Sequence, residues 1–159
     1  FSDCKYGYAV HGNVMRISLL RGSESPDPQA DIGKSTFRFA LYPHAGDLAE
    51  GEVVRRAYEF NTPWISVPGT VEKQSWFSVD SPHLVIDTVK KAEDSDALIV
   101  RLYECHGARG TAGLKTSLPF GKARLVNLLE EPIKPLSARS GKIPLAFKPF
   151  QILTVLLEP

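Results

Sequence analysis

"LVIDTVKKAEDSDALIVRLY", residues 84–103, decides how this chain folds. Its two apolar runs, Leu84–Val89 and Ala97–Tyr103, are rich in β-branched residues on both sides of the chain. The segment Ala92-Glu93-Asp94-Ser95-Asp96 between them is short, acidic and suited to a turn. Runs of that length and composition, bounded by turn formers, predict two central strands joined by a solvated tip.

Working outward, the same period of two recurs. Met15, Ile17 and Leu19 alternate with Arg16 and Ser18; Phe37, Phe39 and Leu41 alternate with Arg38 and Ala40. Leu114, Thr116 and Leu118 repeat the pattern, as do Ile143, Leu145 and Phe147, and the tail Gln151–Leu157 predicts a strand that closes the sheet. Turn signals separate these runs: Gly12-Asn13, Ser25-Pro26-Asp27-Pro28, Asn61-Thr62-Pro63, Ser81-Pro82, Gly107–Gly110, Pro132–Pro135 and Ser140-Gly141. Many short alternating strands punctuated in this way predict a mainly β fold, an antiparallel β-sandwich. One short helix is expected over Gly51–Phe60, where Val53, Val54, Ala57 and Phe60 line one face and Pro63 stops the run. The Pro-rich loop at 22–31 reads as an excursion within the domain.

The 159 residues suffice for one domain with a real core, 43% of them apolar and 23% charged. A net charge of +1 creates no field for nucleic acid or an acidic membrane, and no run of about 18 apolar residues is available to span a bilayer. The opening residues lack the charged and apolar regions of a secretory signal. Cys4 and Cys105 read as two reduced, buried thiols in a cytoplasmic setting, although spacing alone leaves a bridge open.

Local chemistry is sparse. No phosphate-binding glycine loop, dinucleotide fingerprint, nucleophile elbow or His-Glu-x-x-His helix is present, and the four histidines, His11, His44, His83 and His106, are scattered. His44 and Asp47 have a spacing that would serve a metal on a helix, but they follow a strand and a proline. Glu93, Asp94 and Asp96 offer paired carboxylates, set against a solvated hairpin tip. His106-Gly107-Ala108-Arg109-Gly110 is either an anion- or sugar-binding loop or a structural turn, with Glu104 and Arg101 pairing with neighbours. Trp64 and Trp76 suit stacking on a sugar face; with Ile65 and Phe77 beside them, a core role is the plainer expectation.

Longer blocks carry a resemblance. Asp3-Cys4-Lys5-Tyr6-Gly7, His11-Gly12-Asn13, Leu19-Leu20-Arg21, Pro26-Asp27-Pro28, Ala30-Asp31-Ile32-Gly33 and Phe37 through His44 occur in order. "DTVKKAEDSDALIVRLYECHGARG" (87–110) and the closing "FKPFQILTVLLEP" follow them. Together they resemble the C-terminal β domain of family 38 glycoside hydrolases, the α-mannosidases, most of all the cytosolic and bacterial branch. The resemblance implies that residues 1–159 are a C-terminal β-sandwich domain of a larger enzyme, with room for the end of one sandwich plus a smaller terminal sheet. Residue 1 then reads as a cut before an interior strand.

The resemblance further implies a parent that is a zinc-dependent retaining enzyme hydrolysing terminal α-linked mannose. The nucleophile and the His/Asp zinc ligands lie in a catalytic domain that is followed by a helical one, both upstream of this chain. No catalytic or metal-binding residue is carried over, and no cofactor is expected in this segment, which is predicted inactive alone. One substrate-binding residue is implied, Arg21, at the rim of the active site. The expected partners are the catalytic and helical domains of the same polypeptide and a mannosyl oligosaccharide, with no nucleic acid or membrane. An apolar contact face including part of Cys4–Tyr8 is anticipated. The alternative is a stand-alone carbohydrate-binding module that uses exposed aromatics.

Overall fold

The computed structural model of the chain describes residues 1–4, 6–70 and 72–159. In chain order the elements are β1 (Tyr8–His11), β2 (Val14–Ile17), α1 (Val53–Asn61), β3 (Phe77–Val79), β4 (Leu84–Lys91) and β5 (Leu98–Glu104). They continue with β6 (Gly110–Thr116), β7 (Lys122–Val126), β8 (Pro132–Leu136), β9 (Lys142–Phe147) and β10 (Ile152–Glu158). A five-stranded sheet of order β4-β5-β10-β7-β8 faces a three-stranded sheet of order β3-β6-β9, and every pairing is antiparallel. The mainly β sandwich with one short helix is therefore what forms.

Alternation builds the core. In the β6–β9 register Leu114 opposes Ile143 and Ala112 opposes Leu145, and these four point at the larger sheet. They meet Val100, Leu102, Leu153, Val155 and Leu157, all nearly or wholly inaccessible to solvent. Burying such side chains is worth roughly 1.5–3 kcal/mol each. On the far side of β5, Ile99 is covered by Ala92, Ala97, Val126 and Leu156, so β5 is buried on both faces. Its continuous apolar run reflects that position.

Several expectations need correction. Leu84–Val89 is not a central strand. β4 is an edge of its sheet, and Asp87, Lys90 and Lys91 together with a register shift between Ile86 and Thr88 mark it as one. The tail strand β10 does not close the sheet from outside but inserts between β5 and β7. Pro132–Pro135, read as a turn, lies in β8, the opposite edge, where missing N–H donors are tolerated. Phe37–Leu41 forms no strand of its own. Among the described residues, its backbone pairs only with Phe1–Asp3, through the Ser2–Phe39 bridge and hydrogen bonds at Arg38 and Ala40.

The two parts of the chain are unequal. Among the described residues, every buried hydrophobic one lies between Leu84 and Leu157. Among the described residues of 1–76, Gly51 alone is buried. The hairpin β1–β2 pairs only with itself, and α1 touches the sandwich chiefly through Tyr58. Trp64 is 97% exposed and Trp76 50%, so neither occupies the core expected for it. The accessible surface is 11,873 Å². A compact monomer of 17.5 kDa has about 7,900 Å².

Candidate functional site

The most elaborate polar construction lies where β5 leaves the sheet. Alternation aims the side chain of Glu104 inward, leaving it 1% exposed. The turn that follows wraps around it. Oε1 accepts from the backbone N–H groups of His106 and Ala108, both at 2.9 Å. Oε2 accepts from those of Gly107 at 2.9 Å and Phe150 at 2.8 Å. Gly107 allows the wrap through its φ of 73°, and a Cβ there would lie 3.1 Å from the Phe150 ring. Burial pushes the Glu104 carboxyl up, but the four N–H donors outweigh it and hold the group below the ordinary glutamate value.

The His106–Gly110 loop is thus a structural turn whose amides already hold the protein's own anion. The sequence suggests Glu104 only as a residue pairing with a neighbour, whereas it is the group that organises the loop. The available signal was a carboxylate at an inward strand position directly before a glycine-containing turn.

Beside this turn, His106 Nδ1 lies 3.3 Å from His83 Nδ1, so one ring donates and the other accepts. The Cys105 thiol donates to the His83 carbonyl at 3.4 Å. Burial, aided by the Glu104 charge, pushes that thiol up, which makes it a poor nucleophile at neutral pH. Cys4 and Cys105 are both unpaired and only partly buried, against the expectation of buried thiols.

A cleft of about 640 Å³ separates α1 from β3 and β4, lined by Glu52, Arg55 and Tyr58 on one side and by Asp80, Ser81 and Ile86 on the other. Its carboxylates are committed. Glu52 pairs with Arg55 at 3.2 Å and Arg56 at 3.1 Å, and Asp80 pairs with Lys142 at 2.6 Å and accepts from Gly113 N–H at 2.6 Å. The Lys142 ammonium and the Gly113 amide hold the Asp80 carboxyl below the usual carboxylate range. Tyr58 donates to Asp87 Oδ1 at 3.2 Å and accepts from Tyr103 at 3.1 Å, fixing the helix over the sheet edge. The arrangement positions a helix, and among the described residues both of the cleft's carboxylates, Glu52 and Asp80, are engaged in ion pairs rather than free for proton transfer.

The remaining candidates do not converge. Asp47 accepts from the N–H groups of Ala49 and Glu50, which hold its carboxyl down, and His44 Nδ1 faces the Ala45 carbonyl at 3.2 Å. Glu93 and Asp96 are exposed at the β4–β5 tip, where they pair with Lys90 and Lys91. Arg21 lies in the loop after β2 with an exposed side chain, outside the lining of the cleft. Next to it, Gly22 N–H donates to Asp31 at 3.0 Å. Among the described residues, no three His, Cys, Asp or Glu side chains come together as a metal site, so the residues present do not fit a zinc ion.

Comparison with known proteins supplies what this geometry does not. Residues 83–155 match the glycosyl hydrolases family 38 C-terminal beta sandwich domain. Over 98% of its length the chain is 42% identical to alpha-mannosidase 2C1 of Mus musculus. Residues 83–155 belong to the family 38 glycosyl hydrolases, as their C-terminal β-sandwich. Identity to the Homo sapiens alpha-mannosidase 2C1 is likewise 42% over 98% of the chain. To alpha-mannosidase G of Dictyostelium discoideum it is 32% over 96%. The chain spans only 16% of the mouse and human relatives and 15% of the Dictyostelium one. The matched family domain begins at His83, so it coincides with the part of the chain that has its own core.

Proposed function

We propose that this chain is a non-catalytic wall of an α-mannosidase, one that removes terminal α-linked mannose from oligosaccharides by a zinc-dependent retaining reaction. The zinc and the acids of that reaction belong to catalytic and helical domains elsewhere in a longer, cytoplasmic polypeptide. The observation that carries this reading is the match to α-mannosidases along 98% of a chain whose cleft carboxylates, Glu52 and Asp80, are already paired. A retaining glycosidase needs two carboxylates about 5–5.5 Å apart, held rigidly in a dry pocket. The sandwich supports such a pocket from outside. Its core is dense, and its turns are locked by groups such as Glu104 and Asp80.

Arg21 is assigned to substrate. Its planar fork is suited to sugar hydroxyls, and its exposure leaves it available to an adjoining domain. The 159-residue chain alone is expected to show no turnover of an aryl α-mannoside. The full-length protein should turn it over and lose that activity to a chelator. Arg21→Ala in the full-length protein should raise KM several-fold while leaving the melting temperature in place. Turnover by the short chain would overturn the reading.

The exposure of Trp64 and Trp76 favours a second reading, a carbohydrate-binding module. Titration of the chain with mannosyl oligosaccharides separates the two. Micromolar binding abolished by Trp64→Ala supports the module, and absence of binding supports the wall.

A further inference from the structure

We propose that a second cleft, between α1 and the face of β5 turned away from the smaller sheet, binds a single pyranose unit. The site is independent of the wall reading, and neither Trp64 nor Trp76 lines it. Its volume is about 500 Å³, within the roughly 300–1,000 Å³ of small-molecule sites. Arg101 and Tyr103 of β5, Asp87 of β4, Val54 of α1, and Phe150 and Ile152 at the approach to β10 line it.

Two local departures from regular structure shape the cleft. The register passes from Ile86 opposite Leu102 to Thr88 opposite Arg101, so Asp87 is an extra residue without a partner on β5. An extra residue of this kind re-aims a side chain. Asp87 turns toward α1, where Oδ1 accepts from Tyr58 at 3.2 Å and Oδ2 from Thr88 Oγ1 at 2.7 Å. Each oxygen keeps a further lone pair. The second departure is Phe150, whose φ of 55° is a conformation that bulky side chains rarely adopt. Burial does not demand it, since the residue is 72% exposed. The Glu104 carboxylate enforces it by accepting from Phe150 N–H at 2.8 Å, and the tip of the ring rests over Gly107. Backbone strained in order to display an open aromatic ring points to a ligand.

The charges select what binds. Arg101 Nε donates to Thr154 Oγ1 at 3.3 Å and Nη2 to the Leu128 carbonyl at 3.4 Å. Among the described residues Nη1 has no partner, and no ion pair joins Arg101 to Asp87. One acid and one base held apart in the same cleft cancel as a field, which disfavours an anion or a cation. They suit a neutral molecule with adjacent hydroxyls, one donating to Asp87 and its neighbour accepting from Nη1. Phe150 and Ile152, the latter 51% exposed, offer an apolar surface to the C–H face of such a ring. Vicinal hydroxyls beside an apolar face are the features of a pyranose. The site is open, so its affinity is expected in the millimolar range, weaker than the micromolar binding of the module reading.

An amide-shift NMR titration of the 159-residue chain with methyl α-mannopyranoside tests the site. The amides of Asp87, Thr88, Arg101, Tyr103, Phe150 and Ile152 should shift and saturate, while those of Trp64 and Trp76 stay in place. Phe150→Gly removes the ring and suits the positive φ, so its melting temperature should not fall, yet binding should weaken about ten-fold. Arg101→Met should weaken it comparably, and Trp64→Ala should leave it unchanged. No saturable shift at the cleft, or binding that survives Phe150→Gly, overturns the proposal. Loss of binding in Trp64→Ala overturns it in favour of the module. Shifts at the cleft with free leucine but not with the mannoside overturn it in favour of a zwitterion. Hydrolysis of an aryl α-mannoside by the full-length protein tests the α-mannosidase reading separately: activity with a silent cleft removes this site and keeps the enzyme.

Discussion

At the scale of single residues, Glu104 shows how a charge can be buried and still stabilise. Four backbone N–H groups replace the water it loses. Glu104→Gln keeps the shape but turns an NH₂ group toward two of those donors. With two buried donors unpaired, the expected cost is about 3 kcal/mol. A denaturant titration of the chain at pH 7 measures it. The pH dependence has a definite sign. Because the folded carboxyl sits below its ordinary value of 4.5, its contribution is complete above that value and is lost as pH falls through the folded value. The wild-type melting temperature should therefore drop more steeply below pH 5 than that of Glu104→Gln, and the two curves should converge in acid.

Elements differ in how firmly they are held, and Tyr58 is the test case. Helix α1 carries no buried residue, and its Arg55, Arg56, Glu52 and Glu59 ladder is exposed, so solvent screens each pair and the ladder holds the helix only weakly. Tyr58→Phe removes both phenol contacts to the sheet. Amide exchange over residues 53–61 should accelerate about ten-fold, while β5 and β10 keep their protection. Exchange unchanged in the helix would show that the phenol is not its tether.

The same contrast explains what could be read from sequence. β9 was legible because one face is buried against its own chain and alternation reports that burial, as it does over Leu114–Thr116 of β6, while β5 and β10 were legible from the continuous apolar runs of strands buried on both faces. The helix was legible to within two residues at its start and one at its end. β3 and β7 were missed for want of length or alternation, and β8 because its prolines read as a turn. Phe37–Leu41 alternates as a strand should, but among the described residues its pairing amounts to one bridge to Ser2, and Phe39 and Leu41 remain exposed. For the site, Glu104 was legible only as a residue that pairs with a neighbour, because a single inward carboxylate has no motif. Arg21 was reachable only through resemblance.

At the scale of the whole molecule, the chain joins a self-sufficient sandwich to a segment that lacks a core. Among the described residues, all buried apolar ones lie at or after Leu84, so deleting residues 1–76 removes none of these. Residues 77–159 should therefore unfold in one cooperative step, within about 1 kcal/mol of the 159-residue chain by denaturant titration. A loss of several kcal/mol would mean that the first segment contributes to the core. The prolines of β8 extend this to what happens after proteolysis. Two of the five residues along that border have no N–H to offer, so an incoming strand finds too few donors to zip onto it. A clipped sandwich should consequently persist as single molecules rather than seed fibres through that rim. Any clumping of the uncut chain should begin at its sticky first seventy-six residues.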